Sequence, residues 1–204
     1  MSIFLIRHGE TLGNASRTVQ LPDNPLSPRG VAQAERLARR LEREGIAAIL
    51  SSDYERAAAT AQHIGRVTSV PVRHDPVLQE RNFGDIRGTP YAELDVDMFA
   101  PDYAPPRGET WEAFDTRVDR AWALVQAVAD EAGGHLAVVT HGLVCRRVAA
   151  RHLVLPAGED VPARWENTGL TIIDHPAPWR VRLLNSIAHL DDPSARPSGE
   201  AGAV

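Results

Sequence analysis

Cysteine is nearly absent. Cys145 is the only one in 204 residues, which excludes an intramolecular disulfide and a multi-cysteine zinc site and makes redox chemistry unexpected. Long hydrophobic runs are missing too. No stretch approaches the roughly 18 apolar residues of a membrane span. The short run Ile3 to Ile6, followed at once by Arg7, lacks the basic lead and longer apolar core of a signal peptide. A cytoplasmic protein that does not engage a membrane is expected. There is no long Lys/Arg run, and the formal net charge is -5, so nothing suggests a nucleic-acid partner or an anionic lipid surface. A small anionic ligand would therefore need a local basic pocket. What is present is an ordinary composition, 43% hydrophobic and 24% charged, suited to one globular domain with a full core.

Ile3 to Ile6 is a continuous apolar run, as expected for a strand buried on both faces of a parallel sheet. Ser27 and Pro28 resemble N-cap and N1 of a helix carrying Val31, Ala34, Leu37, Ala38 and Leu41 at helical spacing, with Gly45 as its stop. Ile46 to Leu50 predicts a second buried strand, and Ser52 with Glu55 a capping box opening a helix through about Arg66. Trp111, Phe114, Val118, Ala121, Val125 and Val128 predict a long amphipathic helix ended by Gly133-Gly134. Leu136 to Thr140 is a third buried strand, Leu143 to Leu153 a helix, and Leu170 to Asp174 and Val181 to Leu184 late strands. This alternation implies an α/β three-layer sandwich, a mostly parallel central sheet with helices on both faces. One domain over 1–190 is expected, with a proline-interrupted, cap-like insertion at about 81–107 and a polar, disordered tail over 191–204.

In open α/β folds ligands bind beyond the carboxyl ends of strands, and two strands here run into Arg7-His8-Gly9-Glu10 and Thr140-His141-Gly142. Each histidine is followed by glycine, which lets backbone N–H groups approach an anion. The helix after Gly142 adds its N-terminal dipole, and Arg7 and Arg56 supply planar forks matched to phosphate oxygens. A phosphate site is the natural reading. Each assignment has a plainer rival: a strand-end histidine that is structural, Arg56 on a solvated helix face, Asn14 as a turn cap. A phosphate ester's leaving oxygen needs a proton donor, and for that acid Glu80 competes with Asp85 and Glu109.

Six blocks in order carry a resemblance: Arg7-His8-Gly9-Glu10-Thr11 with Asn14; Leu26-Ser27 with Gly30, Gln33 and Ala34; Ser51-Ser52-Asp53 leading to Arg56-Ala57 and Thr60-Ala61; Gln79-Glu80-Arg81 with Phe83-Gly84; Gly108-Glu109-Thr110; and Thr140-His141-Gly142. The chain resembles the histidine phosphatase superfamily, in the branch of cofactor-dependent phosphoglycerate mutases and bisphosphatase domains. The resemblance implies a phosphoglycerate mutase-like fold and a phosphohistidine on His8. Arg7, Arg56 and His141 would stabilise the transferring phosphoryl group, Asn14 would hold its oxygens, and Glu80 would be the acid. Glu10 and Thr11 are expected to orient His8. Gly142, Leu143, Arg17 and Arg81 are expected at the substrate, with Arg87 and Arg107 as further readers of a second anionic group.

The expected activity is that of a phosphoric monoester hydrolase acting on a small phosphorylated metabolite, with no cofactor and no metal. A phosphoglycerate mutase-type transferase and an inactive phospho-ligand sensor remain open. The family often forms dimers, so a homodimer is a partner to look for, though no feature decides oligomeric state. Two places depart from the common family pattern, Ile86-Arg87-Gly88 after Phe83-Gly84, and Val19-Gln20 after Arg17. Both bear on substrate choice rather than on phosphoryl chemistry.

Overall fold

The computed structural model describes residues 1–191; the tail expected over 191–204 lies, from 192 on, outside the described residues. Among them six strands form one sheet in the order β3-β2-β4-β1-β5-β6. They are β1 (Ser2–Arg7), β2 (Ile46–Ser51), β3 (Val72–His74), β4 (His135–Thr140), β5 (Leu170–Asp174) and β6 (Val181–Ser186). The first four run parallel, β5 runs antiparallel to β1, and β6 antiparallel to β5.

The apolar run of β1 is continuous because both of its faces are covered. Ile3 and Leu5 point into a core with Phe114, Val118, Trp122, Val144 and Val148. Phe4 and Ile6 point into another with Leu37, Leu41, Ala57, Ala61 and Ile64. Period-2 alternation along the strand thus feeds two layers of helix. On one side lie α2 (Pro28–Leu41) and α3 (Glu55–Thr68), on the other α4 (Trp111–Glu131) and α5 (Gly142–His152). Each of these strand residues is at most 2% exposed, and burying such a side chain contributes roughly 1.5–3 kcal/mol. Truncating Leu5 or Ile6 would open one of the two cores.

The helix signals divide. Ser27 caps α2, its Oγ accepting from Gly30 N, with Pro28 at N1. The predicted capping box at Ser52 is corrected: α3 starts at Glu55 with Tyr54 as N-cap and no side-chain cap. The Ser52 hydroxyl instead lies 2.8 Å from His141 Nε2. A short helix α1 (Leu12–Ala15) and the edge strand β3 were not legible, being only four and three residues long. The insertion at 81–107 folds over the carboxyl end of the sheet in 3-10 turns. Its Phe83 and Met98 pack with Val19 in a small separate core.

Candidate active site

Register brings the two histidines together. β1 and β4 are adjacent and parallel with Arg7 opposite Thr140, so His8 and His141, one residue further on, leave the same sheet edge. Their ring centroids are 5.2 Å apart. Both side chains are buried. His8 Nδ1 lies 2.7 Å from its neighbour's carbonyl, Gly9 O. A carbonyl only accepts, so Nδ1 carries the proton and Nε2 keeps a lone pair. Arg56 Nε donates to that Nε2 across 3.2 Å. Burial, followed by the charges of Arg56 and Arg7, holds His8 well below the usual histidine range, and burial with Arg56 does the same for His141. A neutral imidazole with one unprotonated nitrogen is the form a nucleophile requires, and here that nitrogen accepts from Arg56.

The loop carrying His8 is fixed by α2 and α3. Gln33 Oε1 accepts from Glu10 N and Thr60 Oγ1 from Gly9 N. Thr60 in turn donates to Arg56 O, so one hydroxyl ties the His8 loop to the turn that carries Arg56. The expectation that Gly9 frees its N–H for an anion is corrected by that bond. Glycine is needed there because a Cβ would lie 2.7 Å from Gly30 O, and a Cβ on Gly30 would lie 1.9 Å from Glu10 O. Glu10 and Thr11 do not touch His8. Glu10 binds Ser27 and Arg29, while Thr11 caps α1 and donates to Gln20.

Above the histidines opens a cavity of about 490 Å³, lined among others by Arg7, His8, Asn14, Arg56, Glu80 and Leu143. Two buried donors of its lining residues, Arg7 Nε and Trp165 Nε1, have no partner among the described residues, and neither has Nδ1 of His141, which stands beside His8 but is not itself a lining residue. Arg7 is held by a hydrogen bond from Nη1 to Trp165 O. Asn14 is both cap and lining residue: its Oδ1 accepts from Thr11 N at 3.2 Å and Asn167 Nδ2 at 3.2 Å.

Glu80 sits at the start of α5, accepting from Arg81 N at 3.0 Å and Leu143 N at 3.2 Å. The Leu143 amide thus serves Glu80. Burial pushes the Glu80 carboxyl up, and those two amides with Arg56 and Arg7 bring it only part of the way back. The rival acids are engaged elsewhere. Glu109 is gripped by Arg117 Nε and Nη2 at 2.7 Å each and accepts from Asn82 N. Burial pushes its carboxyl up, but these bonds bring it below the usual range. Asp85 pairs with Arg107 at the surface, so Arg107 is not part of the cavity lining.

Arg81 lines the cavity but stands where its charge cannot be offered freely. Its three nitrogens donate to the carbonyls of Glu109, Met98 and Tyr103 at 3.1, 3.1 and 2.7 Å, and the guanidinium lies 3.9 Å from the Trp111 ring centroid. It ties the insertion together and to the start of α4. Arg17, Arg87 and Gly142 line the cavity as expected positions. The two departures from the family pattern meet: Gly88 N donates to Val19 O at 2.7 Å and Val19 N to Thr89 O at 3.0 Å.

Sequence reading missed Tyr54, Trp165, Asn167 and Arg117. Tyr54 follows Asp53 two residues before Arg56, and its ring carries the Arg56 guanidinium at 5.1 Å. Arg117 falls on the polar face of α4, where a solvated arginine is the ordinary expectation. It holds the carbonyls of Val77, Gln79 and Glu80.

The family model described as "Histidine phosphatase superfamily (branch 1)" matches residues 3–186. The Yersinia pestis protein named "Probable phosphoglycerate mutase GpmB" is 29% identical, over 95% of this chain and 97% of its own. The alpha-ribazole phosphatase from Shigella flexneri superposes with a TM-score of 0.79 at 29% identity, covering 92% of this chain and 97% of that one. The mycobacterial glucosyl-3-phosphoglycerate phosphatase complexed with VO3 gives a TM-score of 0.77 at 26% identity over 91% and 98%. With a phosphoglycerate mutase-like fold and the family model spanning nearly all of its length, the chain belongs to the histidine phosphatase superfamily, branch 1.

Proposed function

We propose that the chain is a phosphomonoesterase that hydrolyses a small phosphorylated metabolite, without a metal ion, through a phosphohistidine on His8. One observation carries the reading. The His8 Nδ1 proton is held by Gly9 O, and its unprotonated Nε2 accepts from Arg56, His8 and Arg56 both lining the cavity.

In the first step Nε2 bonds to phosphorus as the bond to the ester oxygen breaks, and protonated Glu80 gives its proton to that oxygen. Arg7, Arg56 and His141 Nδ1 are donors for the equatorial oxygens, where charge spreads in the transition state. In the second step water attacks phosphorus, Glu80 takes a proton from it, and the phosphorus–nitrogen bond breaks. Inorganic phosphate leaves and His8 is again neutral. The raised carboxyl suits Glu80 to both steps.

The structural relatives named phosphatases support hydrolysis; the Yersinia relative named a mutase keeps transfer to a second acceptor as the alternative. The test is rapid quench with a radiolabelled phosphomonoester in the presence of a chelator. An acid-labile, base-stable label on wild type that is absent from folded His8→Ala, and that decays in water at the steady-state rate, is expected. A label that persists until an acceptor alcohol is added would establish the mutase, and no label on wild type would refute the covalent route.

A further inference from the structure

Beyond the phosphoryl floor the cavity holds more positive charge and more aromatic surface than a phosphate alone requires. The formal net charge of the chain is -5, yet Arg17, Arg87, Arg146 and Arg164 line the cavity in addition to Arg7 and Arg56, with Glu80 the single carboxylate in the lining. These four are not neutralised within the fold. Arg17 and Arg146 have no carboxylate partner among the described residues, Arg87 donates to the Tyr54 hydroxyl, and Arg164 reaches Glu166 only at 4.0 Å. Guanidinium groups gathered at one mouth repel each other unless an anion enters.

The aromatic count is as uneven. The chain has four Trp, three Tyr and four Phe, and Tyr54, Phe83, Tyr91, Phe99 and Trp165 line this one cavity. Phe99 is 47% exposed and meets Phe83 edge to face, so part of this surface is open to a ligand. The Tyr54 ring lies between the two functions. Arg56 is 5.1 Å from its centroid and Arg87 5.9 Å. A cation other than the phosphate-binding pair is therefore about one ring's breadth away from the phosphoryl site. A flat apolar body lying on these rings, with an anionic group at its far end, fits both features.

We infer that the substrate is a phosphomonoester of a ring-bearing alcohol that carries a second anionic group, the ring against the Tyr54 and Phe99 side of the cavity and the second anion on Arg87 and Arg17. This rests on the phosphomonoesterase reading for its first phosphate, but it is tested by binding, without turnover. The probes are phenylphosphonate, 4-carboxyphenylphosphonate, 1,4-phenylenebisphosphonate and 3-phosphonopropanoate, titrated calorimetrically into the full chain.

A charge-assisted second contact is expected to make at least one of the two doubly anionic ring ligands bind about tenfold tighter than phenylphosphonate. Which one gains tells a carboxylate from a phosphate. The ring-free 3-phosphonopropanoate is expected to fall about tenfold below the better ring ligand. The double variant Arg17→Gln/Arg87→Gln is expected to erase the gain from the second anion. Equal affinities for phenylphosphonate and both doubly anionic ring ligands, a gain that survives the double variant, or 3-phosphonopropanoate binding as tightly as the ring ligands would each overturn the inference. Tight, discriminating binding by a protein that fails to label His8 would instead refute the phosphatase reading alone.

Discussion

Arg56 aims its Nε–H at the Nε2 lone pair of His8 across 3.2 Å. On the proposed phosphohistidine route, a cation on the reacting nitrogen does two things at once. It disfavours protonation of the imidazole, and it stands where the oxygens of an incoming phosphoryl group arrive. The pair stays in register because Thr60 bonds both the turn of Arg56 and the loop of His8.

For Glu80 the sign of the pH dependence follows from its raised carboxyl. The protonated acid persists above the usual carboxylate range, so kcat/KM for an alkyl phosphate is expected to fall as pH rises through that raised value. His8 stays neutral until well below its usual value, which puts the acid limb below the ordinary histidine range. Glu80→Gln is expected to slow His8 phosphorylation by an alkyl phosphate by about 100-fold to 10,000-fold, and by an activated aryl phosphate much less. Equal slowing of both, measured as the burst of released alcohol or phenol, would make Glu80 a positioning residue.

Asn167 holds the site from behind, donating to His8 O at 3.1 Å and Asn14 Oδ1 at 3.2 Å. Asn167→Ala is expected to lower kcat by roughly 100-fold through misplacement of His8 and Asn14. Asn167→Asp is expected to be worse, because it sets a carboxylate against two acceptor oxygens. Steady-state kinetics with thermal melts will show it; an Asp variant more active than the Ala variant contradicts this role.

Arg81→Met removes the donors that hold three carbonyls at Met98, Tyr103 and Glu109. A stability loss on the order of 3 kcal/mol is expected, with faster proteolysis inside 84–107. Denaturant melts and limited digestion measure it. An unchanged melt with weakened phosphate binding would return Arg81 to the ligand.

Gly30→Ala forces a Cβ to 1.9 Å from Glu10 O, whereas the nearest atom to a Cβ on Gly142 is Arg7 Nε at 3.5 Å. Gly30→Ala is expected to cost about 3 kcal/mol or more, and Gly142→Ala under about 1 kcal/mol. Comparable melting temperatures for the two variants would show that the loop at Glu10 yields more easily than its contacts imply.

The elements that hold His8, Arg56 and His141 were legible because each carries its own local signal. β1 and β4 are apolar runs, since both of their faces are covered, and Ser27-Pro28 writes the start of α2 in its cap. Ser52 misled for the same local reason. Its hydroxyl is within reach of a helix start but is drawn to His141, 89 residues away.

What the sequence determined by itself is the chemistry on offer: two histidines at strand ends, an arginine in the first turn of a helix, an acid in its block. The tertiary structure alone decided how those groups are held and what else joins them. β5 runs antiparallel to β1, with Leu170 opposite Ile6, so the segment before β5 comes to the same sheet edge as His8 and delivers Asn167 and Trp165. Nothing local marks that strand's direction. Packing likewise engaged Arg81 with carbonyls, turned Glu10 towards α2 and gathered arginines and aromatic rings from distant segments around one cavity. Such placements depend on contacts between residues far apart in the chain, which local patterns of burial and capping do not encode.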